Sequence, residues 1–176
     1  MASFKEIVTK AVIGKAKKTS VSKFSVTPNE SVDTVLGCWV INHTFEGRNQ
    51  NGVVYIHGGF DVNVWYSYNN DTKTAVATEH FTYEDKMNIR LKDGAVLTDA
   101  SEIIVRSLTQ PTVTDVNASN GVVNLSIEKE LGVEIVGNTM IKVSVEEEED
   151  DYEVIEDLDD EEADQVINEI DEDYLK

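Results

Sequence analysis

Apolar and polar residues alternate most regularly between Gly58 and Tyr83, and this stretch organises the prediction for the whole chain. A period of two is typical of a β-strand with one apolar and one polar face. Asn69-Asn70-Asp71 then favours a turn, because such residues tolerate left-handed backbone. Residues 72–83 are rich in threonine, valine and aromatic side chains, which suit strands. We therefore predict a long antiparallel hairpin, with this face toward the core: Phe60, Val62, Val64, Tyr66 and Tyr68. The competing assignment turns the face of Trp65 inward.

Shorter segments of the same kind predict strands on both sides of the hairpin. Polar or glycine-containing segments separate them at residues 46–52, 92–94, 117–121 and 137–138. Gly58-Gly59 predicts a bulge or bend, and Pro111 predicts an interrupted or edge strand. The predicted strands cover residues 13–26, 38–45, 53–57, 87–91, 103–116, 122–136 and 139–145.

Two segments carry signals for the start of a helix. Ser3 and Glu6 have the spacing of a capping box, although the β-branched residues that follow allow a strand there instead. Thr27-Pro28-Asn29-Glu30 places a cap, a proline and an acid at the positions typical of a helix start, and Gly37 suits its end. We therefore predict one or two short helices.

About nine short strands with few helices predict a mainly β protein. We expect residues 1–145 to form an antiparallel β-sandwich or barrel-like domain that begins with a basic segment, residues 1–26. At residue 146 the composition changes abruptly, and residues 146–176 are predicted to be an acidic, largely disordered tail.

Apolar residues persist in the acidic tail, and their spacing allows a short amphipathic helix over residues 160–175. Such a helix would be marginal in isolation. The tail either serves solubility or folds on a partner, and both interpretations stay open. If it binds a partner, the candidate contact residues are Tyr152, Val154, Ile155, Leu158, Val166, Ile167, Ile170 and Tyr174.

The charge is distributed unevenly along the chain. The formal net charge is −19, with +5 on residues 1–26, −7 on residues 27–145 and −17 on residues 146–176. A nucleic-acid partner is disfavoured, because most of this surface would repel phosphates. The basic strand is expected near a sheet edge, where lysines discourage unwanted pairing. It is also a candidate self-assembly segment through Lys15, Lys17, Lys18 and Lys23.

The sequence offers few candidate residues for catalysis or for metal binding. Three histidines and Cys38 follow no recognised metal-binding spacing, and no catalytic or phosphate-binding motif is present. We therefore expect no catalytic residue, no metal site and no cofactor, and we interpret Cys38 as a small buried hydrophobe. No apolar run is long enough to span a bilayer or form a signal peptide, so we expect a cytoplasmic product without a transmembrane segment.

Several stretches resemble the CotE family of outer spore-coat morphogenetic proteins. They are EIVTKAVIGKAKK, VLGCWVINH and GGFDVNVWYSYNNDTKTAVATE, at residues 6–18, 35–43 and 58–79, together with the acidic C-terminus. The resemblance implies a non-enzymatic coat protein that is made in the mother-cell cytoplasm and then becomes part of the spore coat. It also implies self-assembly through more N-terminal parts and recruitment of other coat proteins through the C-terminal region.

The aromatic residues leave a second function open. Trp39, Trp65 and Tyr66 are candidates for a platform that binds a saccharide or a peptide, in which case the chain is a stand-alone β-sandwich binding module. Packing in a core or an interface is the commoner use of such side chains.

Overall fold

The computed structural model describes residues 3–145, which form seven β-strands in two antiparallel sheets. None of these residues lies in a helix. The strands are β1 (Ser3–Val26), β2 (Thr34–Gln50), β3 (Val53–Tyr68), β4 (Lys73–Met87), β5 (Arg90–Leu91), β6 (Glu102–Ser119) and β7 (Val122–Val145).

One sheet has four strands in the order β5-β1-β7-β6, and the other has three strands in the order β2-β3-β4. The chain divides into two units, and residues 6–141 make up the larger one. The outer ends of β1 and β7, residues 3–5 and 142–145, belong to the smaller unit. The sites described below all lie in the larger unit.

The core is built where the inner face of β3 meets the inner faces of β7 and β1. Strands β3 and β7 each contribute to two hydrophobic clusters, so these two strands connect the clusters. The first cluster contains Val26, Phe60, Val62, Val64, Tyr66, Val123, Leu125 and Ile127. The second contains Ile13, Val54, Ile56, Met87, Leu131, Val133 and Ile135.

The predicted hairpin is confirmed as β3 and β4, joined by a turn at residues 69–72. Asn69, Asn70 and Asp71 all have positive φ, which explains the choice of residues that tolerate left-handed backbone. The predicted inward face is also confirmed, because Val64 is 0% exposed while the neighbouring Trp65 is 43% exposed.

The short helices predicted near residues 3 and 27 are wrong. Residues 3–26 form one continuous strand, as their β-branched composition allowed. Residues 27–33 form an irregular segment whose polar groups bond to β3 rather than cap a helix. The Tyr66 hydroxyl donates to the Glu30 carboxylate, and the backbone N–H of Asp33 donates to the carbonyl of Ser67 at 2.9 Å.

The polar loop predicted at residues 46–52 is largely strand, because β2 continues to Gln50 in register with β3. The connection is only Asn51-Gly52, and both residues have positive φ, as a two-residue hairpin turn requires. The bulge was predicted at Gly58-Gly59 in β3, but the extra residue lies on the neighbouring strand β2. Strand β2 carries the extra residue near Asn42, opposite the segment Gly59–Asp61.

The turn predicted at Gly137-Asn138 is absent, and β7 runs unbroken from Val122 to Val145. Gly137 serves packing, since an added Cβ would lie 2.8 Å from Cδ1 of Ile13. Nine strands are thus reduced to seven in residues 3–145. Pro111 lies in the edge strand β6, within an irregular stretch of its pairing with β7, as predicted. The predicted acidic tail, residues 146–176, lies outside the described residues.

Candidate functional site

The lysines proposed from sequence for self-assembly lie exposed along β1, but two of them have internal partners. Lys15 forms an ion pair with Glu134 at 3.3 Å, and Lys18 forms one with Asp85 at 3.4 Å. Within residues 3–145, no ion pair involves Lys17 or Lys23. Two of the four lysines are therefore engaged within the chain, and all four remain exposed on β1.

A buried ion pair joins β4 of the three-stranded sheet to β7 of the four-stranded sheet. Nζ of Lys129 lies 2.7 Å from Oδ2 of Asp85 and 2.7 Å from Oγ of Ser20. Only 4% of Lys129 is exposed. Its charge is satisfied because the carboxylate, the hydroxyl and the ring of Tyr83, 4.1 Å away, surround the ammonium group.

The polar cluster continues from Tyr83 to the opposite edge of the three-stranded sheet. The Tyr83 hydroxyl lies 2.7 Å from Nε2 of His43, and Nδ1 of the same ring lies 3.2 Å from the Gln110 side chain on β6. Burial, aided by the negative charge of Asp85, raises the pKa of Tyr83 far above its usual range. Burial also lowers the pKa of His43, the Gln110 contact opposes this, and the charge of Lys129 lowers it further. Both shifts favour the neutral form of the ring. The contacts connect β4 and β2 of one sheet to β6 of the other.

This cluster around Lys129 was not predicted from the sequence, although one signal for it was present. Lys129 falls on the inward-facing positions of β7, in phase with Leu125, Ile127 and Leu131. A lysine at such a position predicts a buried partner of opposite charge.

The outer face of the three-stranded sheet carries an apolar stripe. Trp39 on β2 and Trp65 on β3 lie on either side of Gly37. Val76 on β4 is the register partner of Trp65. All three large side chains are exposed. Tyr66, the third residue of the platform predicted from sequence, faces the opposite way and is buried. The structure thus brings together only the two tryptophans of that predicted set.

Two aspartates connect strands of the three-stranded sheet, Asp71 at the β3–β4 turn and Asp61 in the middle of β3. Asp71, in the β3–β4 turn, accepts hydrogen bonds from the hydroxyls of Ser67 and Thr34, and these bonds lower its pKa. Asp61 accepts from Asn42 at 2.8 Å and contacts His80 at 2.6 Å, which lowers its pKa in the same way. Both carboxylates are occupied by neighbouring side chains.

The histidines occupy separate places. His43 contacts Tyr83, His57 lies 3.2 Å from Glu84, and His80 contacts Asp61. Residues 3–145 contain no cluster of three or more potential ligands for a metal ion. Cys38 is half-buried against the first cluster, and burial raises the pKa of its thiol.

No helix in the part of the chain that the structure describes has the length and apolar character needed to cross a membrane. The partner-binding residues predicted in the tail, from Tyr152 to Tyr174, lie outside the described residues.

A comparison with known protein families finds a match over almost the entire chain. Residues 3–176 match the family described as outer spore coat protein E (CotE), which confirms the resemblance inferred from the sequence. No curated protein and no solved structure shows a significant match. Because the family match extends over all the described strands and the acidic end alike, the chain belongs to the CotE family of outer spore coat proteins.

Proposed function

We propose that this protein is a non-enzymatic structural protein of the spore coat that assembles with copies of itself and recruits other coat proteins. The observation that carries the proposal is the family match over residues 3–176. We further propose that it is made in the mother-cell cytoplasm and afterwards becomes part of the coat.

The architecture supports a scaffold. We infer that the two sheets pack as a sandwich, because both hydrophobic clusters draw residues from β3 of one sheet and β7 of the other. A buried ion pair crosses the same space, between Lys129 and Asp85. Such a rigid body presents sheet faces and strand edges that can serve as contact surfaces.

The acidic tail is proposed to be the recruiting segment. Its net charge of −17 is combined with apolar residues that a purely solvating tail does not need. The basic strand is proposed to contribute to self-assembly through Lys15, Lys17, Lys18 and Lys23. Lys15 and Lys18 also make the internal ion pairs described above.

Light scattering on the purified full-length chain tests self-assembly. A scaffold is expected to form particles much larger than the 19.6 kDa monomer. A monomer or small dimer at every concentration would contradict the scaffold proposal.

A variant that ends at Val145 tests recruitment. It should keep the β-type circular dichroism of the full chain, because both hydrophobic clusters lie before that residue. It should also lose binding to coat proteins in a pull-down with sporulating-cell coat extract. Undiminished binding by the folded, shortened chain would rule out the tail as the recruiting segment.

The exposed pair Trp39 and Trp65 supports a second candidate, a saccharide- or peptide-binding module. Titration with oligosaccharides or peptides, followed by tryptophan fluorescence, tests this candidate. A saturable change in a monomeric protein, removed by Trp65→Ala, would favour it over the scaffold.

A further inference from the structure

Most of the exposed sheet edges carry features that discourage strand pairing. Strand β2 has two irregularities in its register with β3, and β6 contains Pro111 and three irregularities in its register with β7. Strand β1 carries exposed lysines, and the short β5 pairs with it at Gly14 and Lys15. Bulges, prolines and lysines are the usual means by which proteins block edge-to-edge association.

Strand β4 lacks such interruptions. It pairs with β3 residue for residue from Val54↔Met87 to Tyr68↔Lys73, without a register shift. It is the last strand of its sheet, and within residues 3–145 no backbone hydrogen bond joins residues 73–79 to a strand or loop other than β3. One edge of this segment is therefore open to an added strand.

The sequence of that open segment is self-complementary. Residues 73–79 read Lys-Thr-Ala-Val-Ala-Thr-Glu, which is symmetric about Val76 except that its ends carry opposite charges. When two copies run antiparallel about Val76, Val76 lies opposite its counterpart, alanine opposite alanine and threonine opposite threonine. Lys73 of each copy then lies opposite Glu79 of the other. Threonine pairs and opposite charges are favourable directly across an antiparallel ladder.

The surroundings of the segment fit the same arrangement. Val76 is 53% exposed and continues the apolar stripe of Trp65 to the sheet edge. On the inner side, Ala75 and Ala77 border a cleft of about 280 Å³ whose other wall is residues 26–30. The small alanine side chains leave room there for the matching alanines of an added strand.

We propose that residues 73–79 form a two-fold symmetric interface, in which β4 pairs antiparallel with β4 of a second copy about Val76. The two three-stranded sheets become one six-stranded sheet, and their apolar stripes meet at the two-fold axis. Such a contact is isologous, since each copy contributes the same surface. The inference deepens the proposed self-assembly, on which it rests, by naming one of its contacts.

Cysteine cross-linking tests the register directly. Facing residues of an antiparallel pair have Cα atoms about 4.5–5.5 Å apart, which a disulfide can bridge. Oxidised Val76→Cys protein should therefore run at twice the monomer mass on a non-reducing gel. Thr74→Cys and Thr78→Cys should cross-link only when mixed with each other. The unchanged protein, with its native Cys38, is the control for other disulfides.

Charge reversal tests the ends of the interface without touching the core, since Lys73 and Glu79 are exposed. Glu79→Lys should weaken dimerisation roughly tenfold in sedimentation at low salt, because like charges would then face each other. Lys73→Glu combined with Glu79→Lys restores opposite charges and should recover dimerisation.

The outcomes separate this inference from the proposed function. Failure of Val76→Cys to cross-link in folded protein, or equal weakening by the single and double charge variants, would overturn the β4 interface. If large particles still form in either case, self-assembly stands and uses another surface. If no particles form but Val76→Cys cross-links, the interface stands and the scaffold proposal fails.

Discussion

Lys129 carries a positive charge into the space between the sheets, on the same inward face of β7 as Ile127 and Leu131. A buried charge is tolerated only when it is paired and hydrogen-bonded, and Asp85 and Ser20 supply those partners. The ion pair restricts how the two sheets can pack, because the Lys129 ammonium group and the Asp85 carboxylate must lie in contact.

Asp85→Ala is expected to destabilise the protein by about 3–5 kcal/mol, because it leaves Lys129 buried without its counter-charge. Urea unfolding measures the effect. Lys15→Ala is the matched control, since its exposed pair with Glu134 should be worth less than about 1 kcal/mol. Equal losses for both variants would mean that the Asp85 contact behaves like a surface pair.

The two faces of β3 can be told apart by one substitution on each. Val64→Asp places a charge in the first cluster, where no partner is available in the described contacts, and should cost at least about 3 kcal/mol or prevent folding. Trp65→Ser on the exposed face should cost about 1 kcal/mol or less. Thermal unfolding that ranks the two variants in the reverse order would contradict the assigned faces.

At the scale of elements, the β3–β4 turn is held to the start of β2 by a carboxylate. Hydrogen bonds from Ser67 and Thr34 lower the folded-state pKa of Asp71 below its unfolded value. The resulting stabilisation is present above the unfolded pKa, near 3.9, and is lost as pH falls through the folded pKa. The stability difference between the natural protein and Asp71→Asn should therefore be constant above about pH 5 and shrink in acid.

Unfolding free energies measured from pH 7 downward test the Asp71 prediction. Asn70→Gly is the control, because it changes the same turn without removing a carboxylate, and its effect should stay independent of pH. A difference for Asp71→Asn that grows in acid would have the wrong sign for a depressed pKa.

Strand β2 lies close to β6 because Gly47 has no side chain. An added Cβ would lie 2.5 Å from the Ile103 side chain and 2.8 Å from that of Val105. Gly47→Ala should thus cost about 1–3 kcal/mol through overpacking. Gly37→Ala is the control on the outer face, where the nearest atom is 3.8 Å away and ordinary contact is expected. The denaturation midpoints should separate the two variants clearly.

The strands were predictable where local and tertiary preferences agree. In β3 the alternation and the asparagine-rich turn both favour a hairpin, and both are confirmed. The helix predicted at residue 27 fails because Glu30 bonds to Tyr66, a tertiary contact that no local signal reports. The predicted loop at residues 46–52 fails because polar residues on an edge strand resemble a loop in sequence.

The buried polar contacts around Lys129 could not be predicted from the sequence either, because they too depend on tertiary structure. Asp85 and Lys129 are 44 residues apart, and their meeting depends on how the sheets stack. The family resemblance, by contrast, rests on long local stretches and was available from the sequence alone.

At the scale of the whole molecule, the charge is concentrated at the acidic end. Residues 146–176 carry −17, and two lysines of the basic segment already have internal partners. Repulsion between tails should therefore outweigh head-to-tail attraction between tail and basic strand. Raising salt from 0.1 to 1 M shortens the Debye length from about 10 to about 3 Å and should increase assembly.

Sedimentation of the full chain and of the variant ending at Val145 across a salt series tests this sign. The shortened chain should assemble more readily at low salt and respond less to added salt. Reduced assembly in high salt and after truncation would show that the tail attracts the basic strand of another copy.

Because β1 pairs with β7, that pairing cannot form until β7 has been synthesised. Thr19 donates a hydrogen bond to Glu130, 111 residues later in the chain. At a synthesis rate of about 5–20 residues per second, β1 waits roughly 5–20 seconds for β7, the longer of its two neighbouring strands, to emerge. Its exposed lysines disfavour association of the unpaired strand during that interval. Strands β2, β3 and β4 can already pair as consecutive hairpins. The pairing of β1 with β7 is thus among the last strand contacts that can form during synthesis.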